Sequence, residues 1–292
     1  MNWSGFLEIL PQTIASGLIM GLVYSLIAVG LSLIYGLMDI VNFAHGEYMM
    51  LAMYAAFFMW SIFSVDPLLS IIPLIAIMAV LGVLTYKGII RPILGTQGIA
   101  QIFATYGLMV MLRGAAQFFF TSDFRTVVNP IVSGRVQIFG IYIGIAKIVA
   151  AAGALITLLL LAVLLNKTKL GLAVRATAFD RRAAELMGIN TESILALGWA
   201  IGIGCTAIAG SLLVNFNYVN PMVGSMFGIL AFVAVALGGF GNLVGAFIGA
   251  LLIGLVEAVG GVAVGSSYKY ALVFGLYLVA IMLKPQGLFG KK

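Results

Sequence analysis

Apolar runs, each about as long as a bilayer is thick, dominate this sequence and restrict what it can fold into. A helix needs roughly 20 apolar residues to cross the hydrocarbon core. Only 8% of the residues are charged, which is too few for the surface of a water-soluble protein, and the chain is too apolar for disorder. About nine crossings follow, with approximate bounds 11–35, 46–63, 69–90, 98–120, 141–165, 194–214, 226–238, 242–264 and 269–284. We therefore predict an all-α polytopic membrane protein with about eight or nine transmembrane helices, residues 1–292 forming a single transmembrane domain.

The basic residues predict which side each loop faces, because Lys and Arg favour short cytoplasmic loops. Segment 166–193 contains five of them, the tail after the last run three and segment 87–97 two, whereas the loops on the other side contain three. Arg113 and Lys147 fall near the outer ends of their spans, where they can extend to the membrane surface. The N-terminus is therefore predicted outside and the C-terminus in the cytoplasm. Membrane lipid, and no nucleic acid, is the expected partner of these charges.

Two apolar regions are interrupted. The first interruption, 35–47, carries Asp39, Asn42, His45 and Glu47 and no Lys or Arg; the second, 237–245, carries Gly239 and Asn242. Non-helical backbone at membrane depth survives only when it is buried in protein or lines a wet cavity. Paired interrupted helices in the two halves of a chain point to a transporter's substrate path. We therefore predict loosely related halves at 20–60 and 225–262, with a substrate pathway along Asn42, His45, Glu47, Gly239 and Asn242.

Each interruption also has a simpler interpretation, a tight cytoplasmic turn whose glycines allow close helix packing. The first favours the pathway more strongly than the second, because a turn does not need four polar side chains. With one histidine and one cysteine in the chain, no metal site is expected. Glu257, an acid inside a span, is either functional or a structural partner. Asn215 and Asn217 could line the outer mouth of the substrate pathway, but a capping or turn role is favoured for them.

The basic segment 166–193 is the one long polar stretch on the predicted cytoplasmic side. Within it, Thr177-Ala-Phe-Asp180 matches a capping box and predicts a helix starting there. Gly188 suits the C-terminus of that helix, and Asn190 can cap the next span. The resulting amphipathic helix either docks onto a cytoplasmic partner or lies on the lipid headgroups.

The sequence contains no motif for an energy source or a catalyst. It has no G-x-x-x-x-G-K-[ST] phosphate loop and no strand–glycine–helix fingerprint for a dinucleotide. Its single histidine lies in the first interruption, so a Ser–His–Asp arrangement is not expected either. We predict a transport protein with no catalytic residue, ATPase site or cofactor of its own.

Three stretches together resemble one known family. They are VNFAHGE at 41–47, GLAVRATAFDRRAAELMGIN at 171–190 and ALGGFGNLVGA at 236–246. They are similar, in this order and over essentially the whole chain, to the permeases of branched-chain amino-acid ABC importers, and more narrowly to the shorter of the two permeases in such a system. Ala183-Ala184 and Gly188 match the alanine and glycine positions of the cytoplasmic loop of ABC importer permeases. The glutamate that often opens that loop motif is absent, since Arg182 precedes the alanines.

The resemblance implies the other parts of an importer in a bacterial or archaeal plasma membrane. A periplasmic or lipid-anchored binding protein would deliver substrate, a second homologous permease would complete the path, and two cytoplasmic ABC ATPases would bind ATP. The residues expected to couple the permease to an ATPase are Gly171, Arg175, Asp180, Ala183, Ala184 and Gly188.

Three other functions are compatible with the same pattern. Urea and short-chain amide importers have permeases of very similar architecture, so the family resemblance leaves the substrate open between them and branched-chain amino acids. An ion-coupled secondary transporter would need no ATPase, and the coupling segment at 171–190 argues against it. A channel would support downhill flux by this chain alone.

Overall fold

The structure is a computed structural model that describes residues 3–138 and 140–290. Its helices are α1 (Trp3–Met38), α2 (His45–Phe63), α3 (Ile71–Thr85), α4 (Arg91–Ile93), α5 (Gly98–Phe120), α6 (Ile145–Lys167), α7 (Lys169–Phe179), α8 (Arg181–Leu186), α9 (Thr191–Leu213), α10 (Val223–Gly238), α11 (Leu243–Ala263) and α12 (Lys269–Leu283). A π-helical turn, Tyr86–Ile90, joins α3 to α4. Strand β1 (Arg135–Ile138) pairs antiparallel with β2 (Ile141–Gly144).

Every predicted apolar run coincides with a helix, and the prediction of an all-α polytopic membrane protein is confirmed at that level. In the part of the chain that the structure describes, six helical stretches are long and apolar enough to cross a membrane: Glu8–Met38, Ile71–Ile93, Gly98–Phe120, Ile145–Lys167, Thr191–Leu213 and Leu243–Ala263. Helices α10 and α12 are shorter, as expected for the run 226–238. The run predicted at 141–165 starts too early, because residues 141–144 pair with β1 instead of joining the helix.

Helix α1 occupies the centre of the bundle. The most apolar part of α1 is 78% buried, and this helix packs against α6, α9, α10 and α11. By contrast, α3, α5 and α6 are only 22–28% buried. Because lipid tails are as apolar as these exposed side chains, such helices are stable facing lipid or another membrane subunit.

The two ends of the bundle differ in structure. Helices α7 and α8 follow the end of α6, and α7 lies beside the end of α1; we name this the α7 end. The β1–β2 hairpin and the loop 121–134 lie at the opposite end, which we name the hairpin end. Asp66 ties two loops together there, since its Oδ1 accepts from Leu68 N at 2.9 Å and its Oδ2 from Ile131 N at 2.7 Å.

The first interruption lies deep within the bundle. Helix α1 ends at Met38, residues 39–44 turn back along it, and His45 at the start of α2 contacts the Ile27 carbonyl oxygen. Ile27 precedes Met38 by 11 residues, so at 1.5 Å per residue α2 begins about 16 Å from the end of α1. Ile40, Asn42 and Ala44 of this turn are buried, whereas Asp39 and Phe43 are exposed. The backbone that leads into α2 is therefore largely enclosed by protein.

The second interruption lies at the α7 end instead. The turn between α10 and α11 packs against the last residues of α1, with the Phe240 and Tyr35 rings 4.7 Å apart. The C-terminal tail covers this turn, because Leu288 N donates to Leu237 O at 2.8 Å. Of the two interpretations of 237–245, the structure favours the tight turn.

The structural counterpart of the first interruption is the connection 214–222, which precedes α10. Near the end of α9, Gly210 packs against Met49 and Ala52 of α2, whereas α10 begins opposite Gly46, about one helical turn deeper. Helices α2 and α10 therefore both start inside the bundle and run towards opposite ends. The predicted halves, 20–60 and 225–262, matched the first interruption with the break that follows α10. In the structure, its counterpart is the connection that precedes α10.

Candidate functional site

The N-terminal turns of α2 and α10 cross in contact with each other. A Cβ atom built on Gly46 would lie 2.0 Å from the carbonyl oxygen of Gly224 and 2.8 Å from the Cα of Gly228. Only glycine allows the two backbones to approach this closely. Because a helix N-terminus carries a partial positive charge, the crossing concentrates such charge within the bundle.

A cavity of about 310 Å³ lies beside this crossing. Its walls come from the first interruption, α2, α5 and α10; its lining residues include Asn42, His45, Glu47, Tyr106, Met109, Arg113, Ser225, Ile229 and Phe232. Three of the predicted pathway residues, Asn42, His45 and Glu47, are therefore brought together around one space.

Glu47 and Arg113 form an ion pair on the wall of this cavity. Glu47 is 1% exposed, and its Oε1 accepts a hydrogen bond from Arg113 Nη2. An isolated charge at membrane depth is costly, and such residues are normally paired and face the interior of the bundle. The pair therefore ties α5 to α2 and places two opposite charges against the cavity.

His45 and Asn42 hold the backbone of the first interruption. His45 Nε2 lies 3.0 Å from Ile27 O; because a carbonyl oxygen only accepts, Nε2 carries the proton. Asn42 Oδ1 accepts from Ala44 N at 3.1 Å, and Thr105 Oγ1 of α5 donates to the carbonyl oxygen just before Asn42 at 2.9 Å. Both side chains thus have one polar atom engaged in holding the turn.

Five buried polar atoms of the residues that line this cavity have no hydrogen-bond partner within the described residues. They are Asn42 Nδ2, His45 Nδ1, Glu47 Oε2, Arg113 Nε and Ser225 Oγ. Buried polar atoms are normally satisfied, and an unsatisfied one costs about 1–3 kcal/mol. Both donors and acceptors are thus left over at one cavity with apolar walls, which suits a small molecule carrying charged groups and an apolar part.

Gly239 and Asn242 do not line this cavity. Asn242 caps α11, its Oδ1 accepting from Gly245 N at 2.9 Å, and its Nδ2 donates to Phe289 O of the C-terminal tail at 2.8 Å. Gly239 ends α10 with a φ of 102°, a conformation that favours glycine. Both residues shape the turn at the α7 end.

Sequence reasoning missed the role of Arg113. It was expected to extend to the membrane surface, but it points to Glu47 instead. A usable signal existed, since Glu47 is the one acid of α2 and Arg113 the one base of α5, and opposite charges within spans tend to pair.

The basic segment forms two short helices instead of one. Thr168 caps α7 by accepting from Gly171 N at 3.0 Å, and Asp180 caps α8 by accepting from Ala183 N at 2.9 Å. The capping box predicted at Thr177 is wrong, because Thr177 lies buried inside α7. Helix-forming residues continue on both sides of Thr177, and the helix therefore starts earlier than its polar side chain suggests.

The end of this segment was predicted correctly. Gly188 follows α8 with a φ of 83°, and Asn190 Oδ1 caps α9 at 3.0 Å. Thr191 Oγ1 donates to the Glu185 carboxylate, and this hydrogen bond holds the pKa of Glu185 below its ordinary value. These contacts fix α8 against the start of α9.

The six residues expected to couple to an ATPase fall into two groups. Four of them are exposed at the α7 end, namely Arg175, Asp180, Ala183 and Gly188. Gly171 and Ala184 are buried. A Cβ on Gly171 would lie 2.3 Å from Leu164 O, so this glycine allows α7 to fold tightly against α6.

A multi-pass helical bundle in which two helices start at depth beside a cavity with apolar walls and unpaired polar groups has the architecture of a membrane transport protein. The family model described as "Branched-chain amino acid transport system / permease component" matches residues 13–282. The chain belongs to this family of membrane permease components.

Individual relatives agree with the family. The chain is 31% identical to the high-affinity branched-chain amino acid transport system permease protein BraD of Pseudomonas aeruginosa, and 30% identical to the corresponding permease protein LivH of Escherichia coli K12. Each match covers 96% of this chain and 95% of the relative. The ribose import permease protein RbsC of Bacillus subtilis is 29% identical over 65% of this chain and 62% of its own length.

A solved structure supports the fold. It is described as PsaBC from Streptococcus pneumoniae in complex with Fab, and it matches with a TM-score of 0.50 over 97% of this chain and 96% of its own. At 14% identity this likeness concerns the arrangement of helices alone.

Proposed function

We propose that this chain is the membrane-spanning permease subunit of an ATP-driven, binding-protein-dependent importer of branched-chain amino acids, and that it forms the translocation path with a second, homologous permease. The cavity at the α2–α10 crossing carries this proposal. An aliphatic amino acid needs apolar walls together with groups for its ammonium and carboxylate, and the cavity offers the Glu47–Arg113 pair beside Met109, Ile229 and Phe232. The names of the BraD and LivH relatives point to the same substrates.

The proposed sidedness follows from charge. We place the α7 end in the cytoplasm and the hairpin end outside the plasma membrane, since the basic residues concentrate in α7, α8 and the tail. A periplasmic or lipid-anchored binding protein would then approach the hairpin end. The chain itself would need no cofactor, with ATP bound by two partner ATPases at the α7 end.

The exposed apolar residues of α7 and α8 support docking of an ATPase. Phe179 is 94% exposed, and Leu186 and Met187 are each 83% exposed. All three lie at the α7 end, outside the six spans. Adjacent exposed apolar side chains rimmed by charges are typical of a protein interface, and the neighbouring Arg175 and Asp180 supply that rim.

Replacing Phe179 by aspartate is expected to detach the ATPases. The change removes the most exposed apolar side chain of this surface and adds a charge, so co-purification of the ATPases should fall about tenfold or more, a loss of at least about 1.4 kcal/mol. The stability of the permease itself should change by less than about 0.5 kcal/mol, since the site is exposed. Quantitative pull-down from native membranes measures the first effect and thermal unfolding the second.

The matched control is Val128→Asp, because Val128 is also an exposed apolar residue but lies at the hairpin end. ATPase recovery should be unchanged in this variant. Full recovery with Phe179→Asp would place the docking surface elsewhere.

Replacing Ser225 by leucine is expected to block the path. Ser225 Oγ lines the cavity without a partner among the described residues. Its removal therefore leaves no other polar group without a hydrogen bond, while the leucine side chain fills the cavity. Uptake should fall at least about tenfold, equivalent to roughly 1.4 kcal/mol, with normal yield of the complex. Ser225→Ala, which removes the hydroxyl without filling the cavity, should retain uptake; equal uptake in both variants would argue against this cavity as the path.

The proposed function is tested with the purified transporter, its binding protein and [14C]leucine in liposomes. Uptake that requires ATP and hydrolysis-competent ATPases is the expected result. Accumulation of urea or acetamide but not leucine would favour the amide importers. Leucine uptake driven by an ion gradient without ATPases would favour a secondary transporter, and downhill flux through this chain alone would indicate a channel.

A further inference from the structure

A second pocket, of about 300 Å³, lies at the hairpin end of the bundle. Its walls come from α1, α6, α10, α11, α12 and the connection after α9, and its lining residues include Met20, Tyr24, Lys147, Asn217, Met226, Phe227, Glu257 and Lys269. It is separate from the cavity at Glu47, since no residue lines both. The first turns of α10 form the wall between them: Met226 and Phe227 face this pocket, and Gly224 and Ser225 face the other.

Glu257, the acid of this pocket, is held by two hydrogen bonds and can accept more. Glu257 is 8% exposed; its Oε2 accepts from the Tyr24 hydroxyl at 2.7 Å and its Oε1 from Lys269 Nζ at 2.6 Å. A carboxylate offers about four acceptor sites, so each oxygen can accept another hydrogen bond. This places a fixed negative group on one wall of the pocket.

The pocket also contains an unmatched positive charge. Lys147, in the first turn of α6, is half-buried and forms no ion pair with any residue that the structure describes. Two lysines therefore face one glutamate, which leaves an excess of one positive charge for an anionic group. The Asn217 side chain also lines this space, and an amide both donates and accepts hydrogen bonds.

We infer that the hairpin-end pocket is a receiving site for a free α-amino acid with an apolar side chain, a second site on the route to the Glu47 cavity. Lys147 binds the carboxylate, Glu257 accepts from the ammonium, and Met226 with Met20 and Phe227 contacts the side chain. Flexible methionines accommodate apolar groups of differing shape. This inference rests on the proposed function, because it takes the substrate class from there.

The test measures binding of [3H]leucine to the complete transporter in nanodiscs without the binding protein. Lys147→Met keeps the length of the side chain and removes no hydrogen bond or ion pair to any residue that the structure describes, so the complex should assemble normally. It should weaken leucine binding about tenfold or more, a loss of at least about 1.4 kcal/mol. The preference for leucine over 3-methylbutylamine, which lacks the carboxylate, should fall by a similar factor. Arg135→Met, an exposed charge change in the hairpin, serves as the control and should leave both values unchanged.

Three results would overturn the inference. The first is a leucine affinity in Lys147→Met equal to that of the unaltered complex. The second is leucine binding that is retained in Lys147→Met and lost in Ser225→Leu, because it would place the site in the Glu47 cavity. Undetectable leucine binding to the unaltered complex also refutes the receiving site; ATP-driven leucine uptake with the binding protein present would then show that the proposed function stands without it.

Discussion

Arg113→Met is expected to abolish leucine uptake and to destabilise the permease by about 3–5 kcal/mol, the usual cost of removing one partner from a buried ion pair. The Glu47 carboxylate, which is 1% exposed, would then be a buried charge without a counter-charge, in surroundings that cannot solvate it. Helix α5 would also lose its charged link to α2. The measurement is the yield and thermal stability of the complex in detergent, followed by uptake in liposomes.

A double variant separates stability from transport. Glu47→Gln with Arg113→Met removes both charges, so the stability of the complex should recover most of the loss. Uptake should stay low, because the two charges proposed to bind substrate are gone. Arg135→Met is the control for loss of a positive charge, since Arg135 is exposed and unpaired within the described ranges. Normal stability and uptake in Arg113→Met would show that the Glu47–Arg113 pair is dispensable.

Gly46→Ala is expected to disrupt the crossing of α2 and α10. The added methyl would lie 2.0 Å from Gly224 O and 2.8 Å from the Cα of Gly228, and both are backbone atoms that move only if a whole helix moves. Overpacking of side chains costs about 1–3 kcal/mol, and a clash with backbone exceeds that range. We expect loss of most assembled complex and at least about a tenfold loss of uptake, measured by size-exclusion chromatography and transport.

Gly204→Ala is the matched control for this substitution. Gly204 is, like Gly46, a buried glycine within a helix, but a Cβ there would meet no atom within 4 Å. Alanine favours a helix by about 1 kcal/mol relative to glycine, so this variant should be at least as stable as the original protein. Equal stability of the two variants would mean that α2 and α10 separate without cost.

The sequence predicted features that depend on neighbouring residues. Run length identified the helices, because spanning a bilayer sets a minimum number of apolar residues. The ends at Gly188 and Asn190 were predicted correctly, since capping involves residues only a few positions apart. The prediction at Thr177 was wrong because Asp180, taken as the last residue of that capping box, is itself the N-cap of α8.

Features that depend on distant contacts could not be predicted in the same way. The interruptions at 39–44 and 239–242 both break an apolar region, yet one packs against α1 and α5 and the other is a turn beneath the C-terminal tail. Their depth depends on which helices pack around them. The grouping of Asn42, His45 and Glu47 was predicted because they are close in sequence, whereas Arg113 lies 66 residues from Glu47 and was missed.

The order in which the ribosome makes the chain bears on the Glu47–Arg113 pair. At about 5–20 residues per second, the 66 residues between the two charges take roughly 3–13 s to synthesise. During that interval Arg113, which pairs with Glu47 in the folded structure, has not yet been made. The crossing with α10 is completed only when Gly228 has entered the membrane, after 228 of the 292 residues have been made. The cavity is therefore a late product of biogenesis, assembled from segments that must be held in the membrane until their partners arrive.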